Sequence, residues 1–326
     1  MGDAGLTRLR RGEHFLDACG VRLRVVVDYD RDRDREGESP SVPILVLHGF
    51  TGSAESMESV SDSLRSRYTV IRLELIGHGG SESPADPKCY AMSACAEQIA
   101  EVVRQLGIER PHLLGYSMGG RAAIAAAVAN PTCFSSLILI GATAGIADPT
   151  LRRARIASDC ELADRIESMD LSGLSRFVDE WMALPIFASQ ARLGREALER
   201  MRAQRMRNRP NGLANSLRGM GAGAQSPLFD QLGNFVQPVL LVAGEQDVKF
   251  TEIAASLQGS FPNSRREIVS GVGHAVHLEA VAEFGNLVTS FLSSLSRSPT
   301  SPPTSRSAKD DGEGASTSEP PRPDCV

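Results

Sequence analysis

Gly115-Tyr116-Ser117-Met118-Gly119 places a serine between two glycines, where the sequence changes from strand-like to helix-like. Ahead of it, His112-Leu113-Leu114 suits the end of a buried strand. Behind it, Arg121 to Ala129 is alanine-rich and helix-forming, and Asn130-Pro131 stops the helix. A turn this tight leaves no room for side chains at Gly115 and Gly119, where the two backbones pass close together. It thrusts Ser117 outward as an exposed hydroxyl.

The flanks supply partners for that hydroxyl in the order serine, acid, histidine. Val239-Leu240-Leu241-Val242-Ala243 is a continuous apolar run, as expected of a parallel strand covered on both faces. Gly244-Glu245-Gln246-Asp247 follows and puts a carboxylate at its carboxyl end. Arg266-Glu267-Ile268-Val269 reads as another strand, followed by Gly271-Val272-Gly273-His274. Alone, Asp247 reads equally as a turn cap and His274 as a loop residue. Three such side chains at the carboxyl ends of three parallel strands converge on one crevice. A further loop, His48-Gly49-Phe50-Thr51-Gly52-Ser53, follows the apolar strand Pro43 to Leu47. The backbone amides of Phe50 and Met118 are then the expected oxyanion donors. His48 reads as a structural residue holding its loop, and His277 as a helix-start or supporting group rather than the base.

Composition bounds the alternatives. The chain has 326 residues, 41% of them hydrophobic, enough for one large α/β core with an inserted helical lid. No stretch approaches the roughly 20 apolar residues that span a bilayer, and the first residues lack an apolar signal core. The six cysteines show neither paired nor metal-ligand spacing, which points to a reduced, cytoplasmic setting. A net charge of −5 gives no reason to invoke nucleic acid or an anionic membrane. No cofactor and no metal are expected, and the chain reads equally as a monomer or a homo-oligomer.

The fold class expected is α/β: a mostly parallel sheet flanked by helices. Residues 1–40 supply an N-terminal strand (Leu23 to Val27) and a charged hairpin loop. Residues 41–142 and 234–296 form the core, including a strand over Tyr68 to Leu73 and a helix from about Ser93 to Leu106. Residues 143–233 read as a helical lid rich in arginine. Beyond Ser296 the chain is mostly Ser, Pro, Thr, Asp and Glu and is expected to be disordered.

Such a scaffold does not fix the reaction. Arg121, about one helical turn after Ser117, can face the same pocket, and a buried guanidinium calls for an anion. The lid adds Arg152, Arg153, Arg155, Arg202, Arg205, Arg207, Arg209 and Arg218. Most suit solvent-facing helix charges. Two or three turned inward would hold a small polycarboxylate over the serine.

The chain also resembles a known family. Residues 47–53, Gly115-Tyr116-Ser117-Met118-Gly119-Gly120-Arg121 and Gly244-Glu245-Gln246-Asp247-Val248-Lys249-Phe250 look like motifs of one branch of the α/β hydrolases. Glu180-Trp181, Pro185-Ile186-Phe187 and residues 212–221 look like its lid motifs. That branch is 2-succinyl-6-hydroxy-2,4-cyclohexadiene-1-carboxylate synthase, of menaquinone or phylloquinone biosynthesis. The resemblance covers roughly residues 20–293 and implies an α/β-hydrolase fold, no cofactor and a lyase reaction. Members remove a ring proton from a succinyl-enolpyruvyl-cyclohexene substrate and expel pyruvate by 2,5-elimination. Carried over, it gives Ser117, His274 and Asp247 the proton transfer and the amides of Phe50 and Met118 the succinyl oxygen. It puts Arg121 on a substrate carboxylate beside Tyr116. Arg155 and Arg205 become further carboxylate binders, with Arg207 competing for the second place. Trp181 becomes a pocket wall, and Lys249 and Phe250 wall or supporting residues. The competing readings are a hydrolase acting on an ester or carbon–carbon bond, which expects an apolar pocket, and a receptor that tolerates loss of Ser117.

Overall fold

The computed structural model describes residues 10–30 and 42–296. Most of the charged loop expected before residue 40, and all of the tail expected to be disordered, lie outside the described residues. The chain opens with β1 (Gly12–Ala18) and β2 (Val21–Asp28), an antiparallel hairpin pairing Ala18 with Val21 and Gly12 with Val27. Its two-residue turn, Cys19-Gly20, takes φ of 56° and 79°, the left-handed pair that matches strand twist. The sequence reading had only the second strand. β1 exposes every other side chain only partly, so its alternation is weak.

Next come β3 (Ile44–Leu47), α1 (Glu58–Leu64), β4 (Val70–Leu73), α2 (Met92–Gln105), β5 (His112–Tyr116), α3 (Met118–Ala129) and β6 (Ser136–Ile140). Four helices intervene before the sheet resumes: α4 (Pro149–Glu167), α5 (Leu171–Met182), α6 (Arg195–Arg205) and α7 (Pro210–Met220). A stretch of 3₁₀ helix, Pro185–Leu193, joins α5 to α6. The core closes with β7 (Val239–Gly244), α8 (Val248–Ser260), β8 (Ser264–Val269), the single turn α9 (Val276–Glu279) and α10 (Val281–Ser296).

The eight strands lie in the order β1-β2-β4-β3-β5-β6-β7-β8. β2 runs antiparallel to β4, and all neighbours from β4 through β3 to β8 are parallel. Burial explains the arrangement. All four residues of β3 are fully buried, because alternate side chains face different layers. Leu45 and Leu47 pack with Val102 of α2 and Ala122 and Ala126 of α3. Ile44 and Val46 pack on the other face with Val60 and Leu64 of α1 and Phe284 and Val288 of α10. The alanines of α3 let that helix sit close against the sheet, and Met118 through Ala127 are all buried.

The inserted helices follow local rules too. α4 begins with Pro149 in its first turn, and the Asp148 carboxylate accepts from Thr150 N and Leu151 N, both at 2.8 Å. α5 is capped likewise, with Asp170 accepting from Gly173 N at 2.8 Å. A separate apolar cluster of Ala163, Ile166, Leu174, Phe177 and Leu213 joins α4, α5 and α7. These helices stand over the carboxyl ends of β5, β6 and β7.

Candidate active site

The serine turn forms between β5 and α3. Ser117 has φ 53° and ψ −109°, a backbone state costly for a residue with a Cβ. Its amide donates to Ile140 O of β6 at 2.8 Å, which pins the turn to the neighbouring strand. A Cβ on Gly119 would lie 2.5 Å from the carbonyl oxygens of Leu47 and His48, and one on Gly115 would strike the Gly119 backbone. Only glycine fits at either place.

Asp247 leaves the end of β7 and caps α8, and His274 arrives on the loop after β8. Their side chains meet. His274 Nδ1 and Asp247 Oδ2 are 2.6 Å apart, and His274 Nε2 and Ser117 Oγ are 3.1 Å apart. With Nδ1–H donating to the carboxylate, Nε2 is the free base facing the hydroxyl; this tautomer follows from the hydrogen-bond network. Both His274 and Asp247 are buried. The ring rests over Gly141, where a Cβ would come within 2.7 Å of its Cε1. Gly141 was readable only as the end of a strand, since its need for a bare backbone comes from a ring 133 positions later.

Phe50 and Met118, whose amides are the expected oxyanion donors, both line the cavity above Ser117. Met118 opens α3, so its N–H is one of the donors no helix turn satisfies. Phe50 lies in the loop after β3, and among the described residues its amide meets no backbone acceptor. That loop is held from below. His48 Nε2 accepts from Leu75 N at 3.1 Å and its Nδ1 lies 2.8 Å from Gly49 O, so it is a neutral brace. Burial lowers its pKa to about 4. Glu74, fully buried, accepts from Ala54 N at 3.0 Å, Gly80 N at 2.6 Å and Arg24 Nη1 at 2.7 Å. Burial raises its pKa against those donors. From the lid, Asn208 Nδ2 donates to Thr51 O at 2.8 Å while its Oδ1 accepts from Gly79 N at 3.0 Å.

Above the serine lies a cavity of about 350 Å³. Ser117, Met118 and His274 form its floor. Arg121, Arg155, Trp181, Lys249 and Phe250 contribute to its walls, with Phe187 and Ile186 of the lid. Its charge is unbalanced. Arg121 is 9% exposed, and its Nη1 donates to Met220 O at 2.5 Å and Gln225 Oε1 at 3.3 Å. Among the described residues no carboxylate forms an ion pair with it. Burial, with Arg155 nearby, lowers its pKa from 12.5 to about 10. Arg155 Nε donates to Asp159 Oδ1 at 2.8 Å, which fixes the stem of its guanidinium. The Trp181 Nε1–H is buried with no acceptor, and its ring stacks edge-on to Phe50 at 5.1 Å.

Two expected pocket residues are elsewhere. Tyr116 and Arg205 line a second cavity of about 240 Å³, on the far side of Phe50. Strand alternation is the reason for Tyr116: it shares a face with Leu114 and packs toward α9, its ring 4.5 Å from that of His277. Burial pushes its phenol well above the usual range. Arg205 ends α6, with Nη1 donating to Met201 O at 3.0 Å and Nε unpartnered. Arg207 reaches Glu55 at 3.4 Å and does not line the serine cavity. Arg202 and Arg218 are likewise held outside, by Asp179 and by Asp164 and Glu167. His277, the second residue of α9, is buried against the Tyr116 ring, and burial lowers its pKa to about 3. The sequence does not single out Gln225 and Asn208, whose partners are distant in the chain, or Asp159 and Glu279, whose contacts with near neighbours leave no distinctive spacing.

Known proteins agree with this architecture. The α/β hydrolase fold family matches residues 42–281. A putative 2-succinyl-6-hydroxy-2,4-cyclohexadiene-1-carboxylate synthase from Bacillus subtilis (strain 168) is 40% identical over 255 residues, 78% of this chain and 92% of that protein. The synthase of the same name from Enterobacter sp. (strain 638) is 31% identical over 241 residues, 74% of this chain and 88% of that one. Among solved structures, MenH from S. aureus superposes with a TM-score of 0.77 at 28% identity, covering 84% of this chain and 99% of that one. With its serine turn, its convergent triad and its cationic cavity, the chain belongs to the 2-succinyl-6-hydroxy-2,4-cyclohexadiene-1-carboxylate synthase family of the α/β hydrolases.

Proposed function

We infer that this protein is a carbon–oxygen lyase of menaquinone or phylloquinone biosynthesis. It converts 2-succinyl-5-enolpyruvyl-6-hydroxy-3-cyclohexene-1-carboxylate to 2-succinyl-6-hydroxy-2,4-cyclohexadiene-1-carboxylate and pyruvate. One observation carries the assignment. The hydroxyl of the Asp247–His274–Ser117 chain opens into a cavity where, among the described residues, no carboxylate is in direct ion pair with Arg121; Asp159 acts on it only at longer range and is bonded to Arg155. A buried cation with no anion in contact is costly, and a carboxylate of the substrate supplies that contact. A simple esterase would need no such charge.

The geometry supports the following course of reaction. Ser117 Oγ removes the ring proton adjacent to the succinyl ketone as His274 Nε2 takes the hydroxyl's own proton. The electrons of that C–H bond move onto the ketone oxygen, which gains negative charge between the amides of Phe50 and Met118. As the C=O re-forms, the electrons pass through the ring double bond and break the carbon–oxygen bond to the enolpyruvyl group. Pyruvate leaves as its enolate and takes a proton at carbon, while His274 gives up the one it accepted and the base is restored. Asp247 keeps the imidazole in the right tautomer and steadies the imidazolium. Arg121 and Arg155 hold substrate carboxylates, and the Trp181 Nε1–H is a further donor into the cavity.

The substrate is a small polycarboxylate, and nucleic acid and membrane have no part in the reading. A cytoplasmic location goes with it, in keeping with the free thiols of Cys19, Cys89, Cys95, Cys133 and Cys160. No described helix is long and apolar enough to cross a membrane. The test is to supply the enolpyruvyl substrate and follow pyruvate together with the absorbance of the new conjugated diene. The reading expects the two in equal amounts. Turnover of p-nitrophenyl esters with no diene formed would favour the hydrolase instead.

A further inference from the structure

Glu279 is a buried carboxylate that the reaction does not use, with a side chain only 3% exposed. It sits at the end of α9, five residues after His274, and reaches back to that loop. Its Oε2 accepts from Gly273 N at 2.9 Å, and its Oε1 accepts from Ala275 N at 3.2 Å. The two amides that flank the catalytic histidine are thus held by the two oxygens of one carboxylate. The same carboxylate meets the lid. Arg192, in the 3₁₀ stretch between α5 and α6, brings its Nη2 within 3.6 Å of Glu279 Oε2. That nitrogen also donates to Gln246 Oε1 at 3.2 Å, and Gln246 is the residue before Asp247. Gln246 N in turn donates to Val272 O at 2.9 Å, joining the acid loop to the histidine loop.

We propose that Glu279 is a positioning residue for His274, and that Arg192 makes its grip depend on how the lid is seated. The carboxylate fixes the backbone on both sides of the imidazole, so the ring's distance from Ser117 Oγ is set from Glu279. Arg192 is the lid's only described ion pair to that carboxylate. It bridges the loops of the acid and of the base at once. Around Arg192, the cavity walls Ile186 and Phe187 belong to the same 3₁₀ stretch. A substrate pressing on those walls therefore biases the geometry of the triad. A carboxylate serves better than an amide here, because Gln offers one acceptor oxygen where the loop presents two N–H groups. Neither residue touches substrate in this account.

The inference rests on the reading of Ser117 and His274 as the reacting pair, and its test separates the two. Glu279→Gln and Arg192→Ala are compared with wild type in two assays. One is steady-state pyruvate release. The other is the second-order rate at which a small fluorophosphonate labels Ser117, which needs the His274 base but not the natural substrate. Arg192 is half exposed, so its removal leaves the core intact. For Glu279→Gln, kcat and the labelling rate should fall together, by ten- to about a hundredfold for a base shifted by up to roughly 1 Å, with KM within about twofold. Arg192→Ala should lower kcat several-fold at an unchanged melting temperature. It should have almost no further effect in the Glu279→Gln background. If Arg192→Ala leaves both rates at wild-type values, or if Glu279→Gln lowers only the melting temperature, the proposal is overturned. Failure of wild type to release pyruvate while labelling still responds to both variants would instead sink only the substrate assignment.

Discussion

Replacing Arg121 with methionine should separate binding from stability. The residue is 9% exposed and bonds only a carbonyl and an amide oxygen. Its pKa is lowered from 12.5 to about 10, chiefly by burial and then by Arg155. Below pH 10 the group is charged in both folded and unfolded chains, so the whole penalty weighs against folding at pH 7. A fall of that size corresponds to roughly 3 kcal/mol of destabilisation. Methionine removes it, at the cost of leaving the Met220 carbonyl without its donor, worth about 1–3 kcal/mol. The two effects nearly cancel. Arg121→Met should therefore unfold in urea within about 2 kcal/mol of wild type, a margin typical of a single substitution. Catalysis should respond very differently. Losing one charge-assisted, forked contact to a carboxylate costs about 1.5–3 kcal/mol, or roughly 10- to 150-fold in kcat/KM for pyruvate release. A variant with unchanged kcat/KM but a stability loss of several kcal/mol would refute the reasoning, because Arg121 would then be a structural strut.

Other consequences are equally specific. Asp247→Asn should lower kcat about 10²–10⁴-fold at similar KM, because the amide favours the wrong histidine tautomer; steady-state kinetics checks this. Gly119→Ala should destabilise the fold by about 1–3 kcal/mol or prevent soluble expression, since its Cβ would meet the Leu47 and His48 carbonyls at 2.5 Å. Burial holds His48, His78, His112 and His277 at pKa values of about 4, 3, 4 and 3, down from 6.5. These groups stay neutral in the fold while the unfolded chain takes up protons below 6.5, so stability falls as pH drops through that value. Each contributes up to about 2 kcal/mol of loss by pH 5, with the raised Glu74 opposing them. Urea unfolding at pH 7 and pH 5 reads the difference, and a flat profile would contradict it.

The triad and its turn were legible because backbone constraints leave marks in sequence. Glycine at 115 and 119 is forced by contact between chain segments, and the apolar runs before Ser117 and Asp247 are forced by burial on both faces of the sheet. The position of Arg121 was legible for a similar reason, since helix period links it to Ser117. The lid was legible as helices but not as a surface. Arg205 and Arg155 are alike in sequence, and which of them reaches the serine cavity depends on how α4 and α6 rest on the core. Tyr116 was misplaced although strand alternation was available to place it. Its neighbour Ser117 breaks the alternation by leaving the strand, and only the elbow geometry shows on which side the ring remains. β1 was missed because its faces differ little in burial. Glu279 reads in sequence as one more helix carboxylate, and only the fold shows the two amides it holds.

The central claim is that the serine oxygen, made basic by His274, starts the elimination. Pyruvate release from the enolpyruvyl substrate by purified Ser117→Ala, beside wild type, tests it most directly. The account predicts diene and pyruvate in equal amounts from wild type, and a loss of at least about 10³-fold in the variant with substrate binding retained. Near-normal pyruvate release from Ser117→Ala would contradict it.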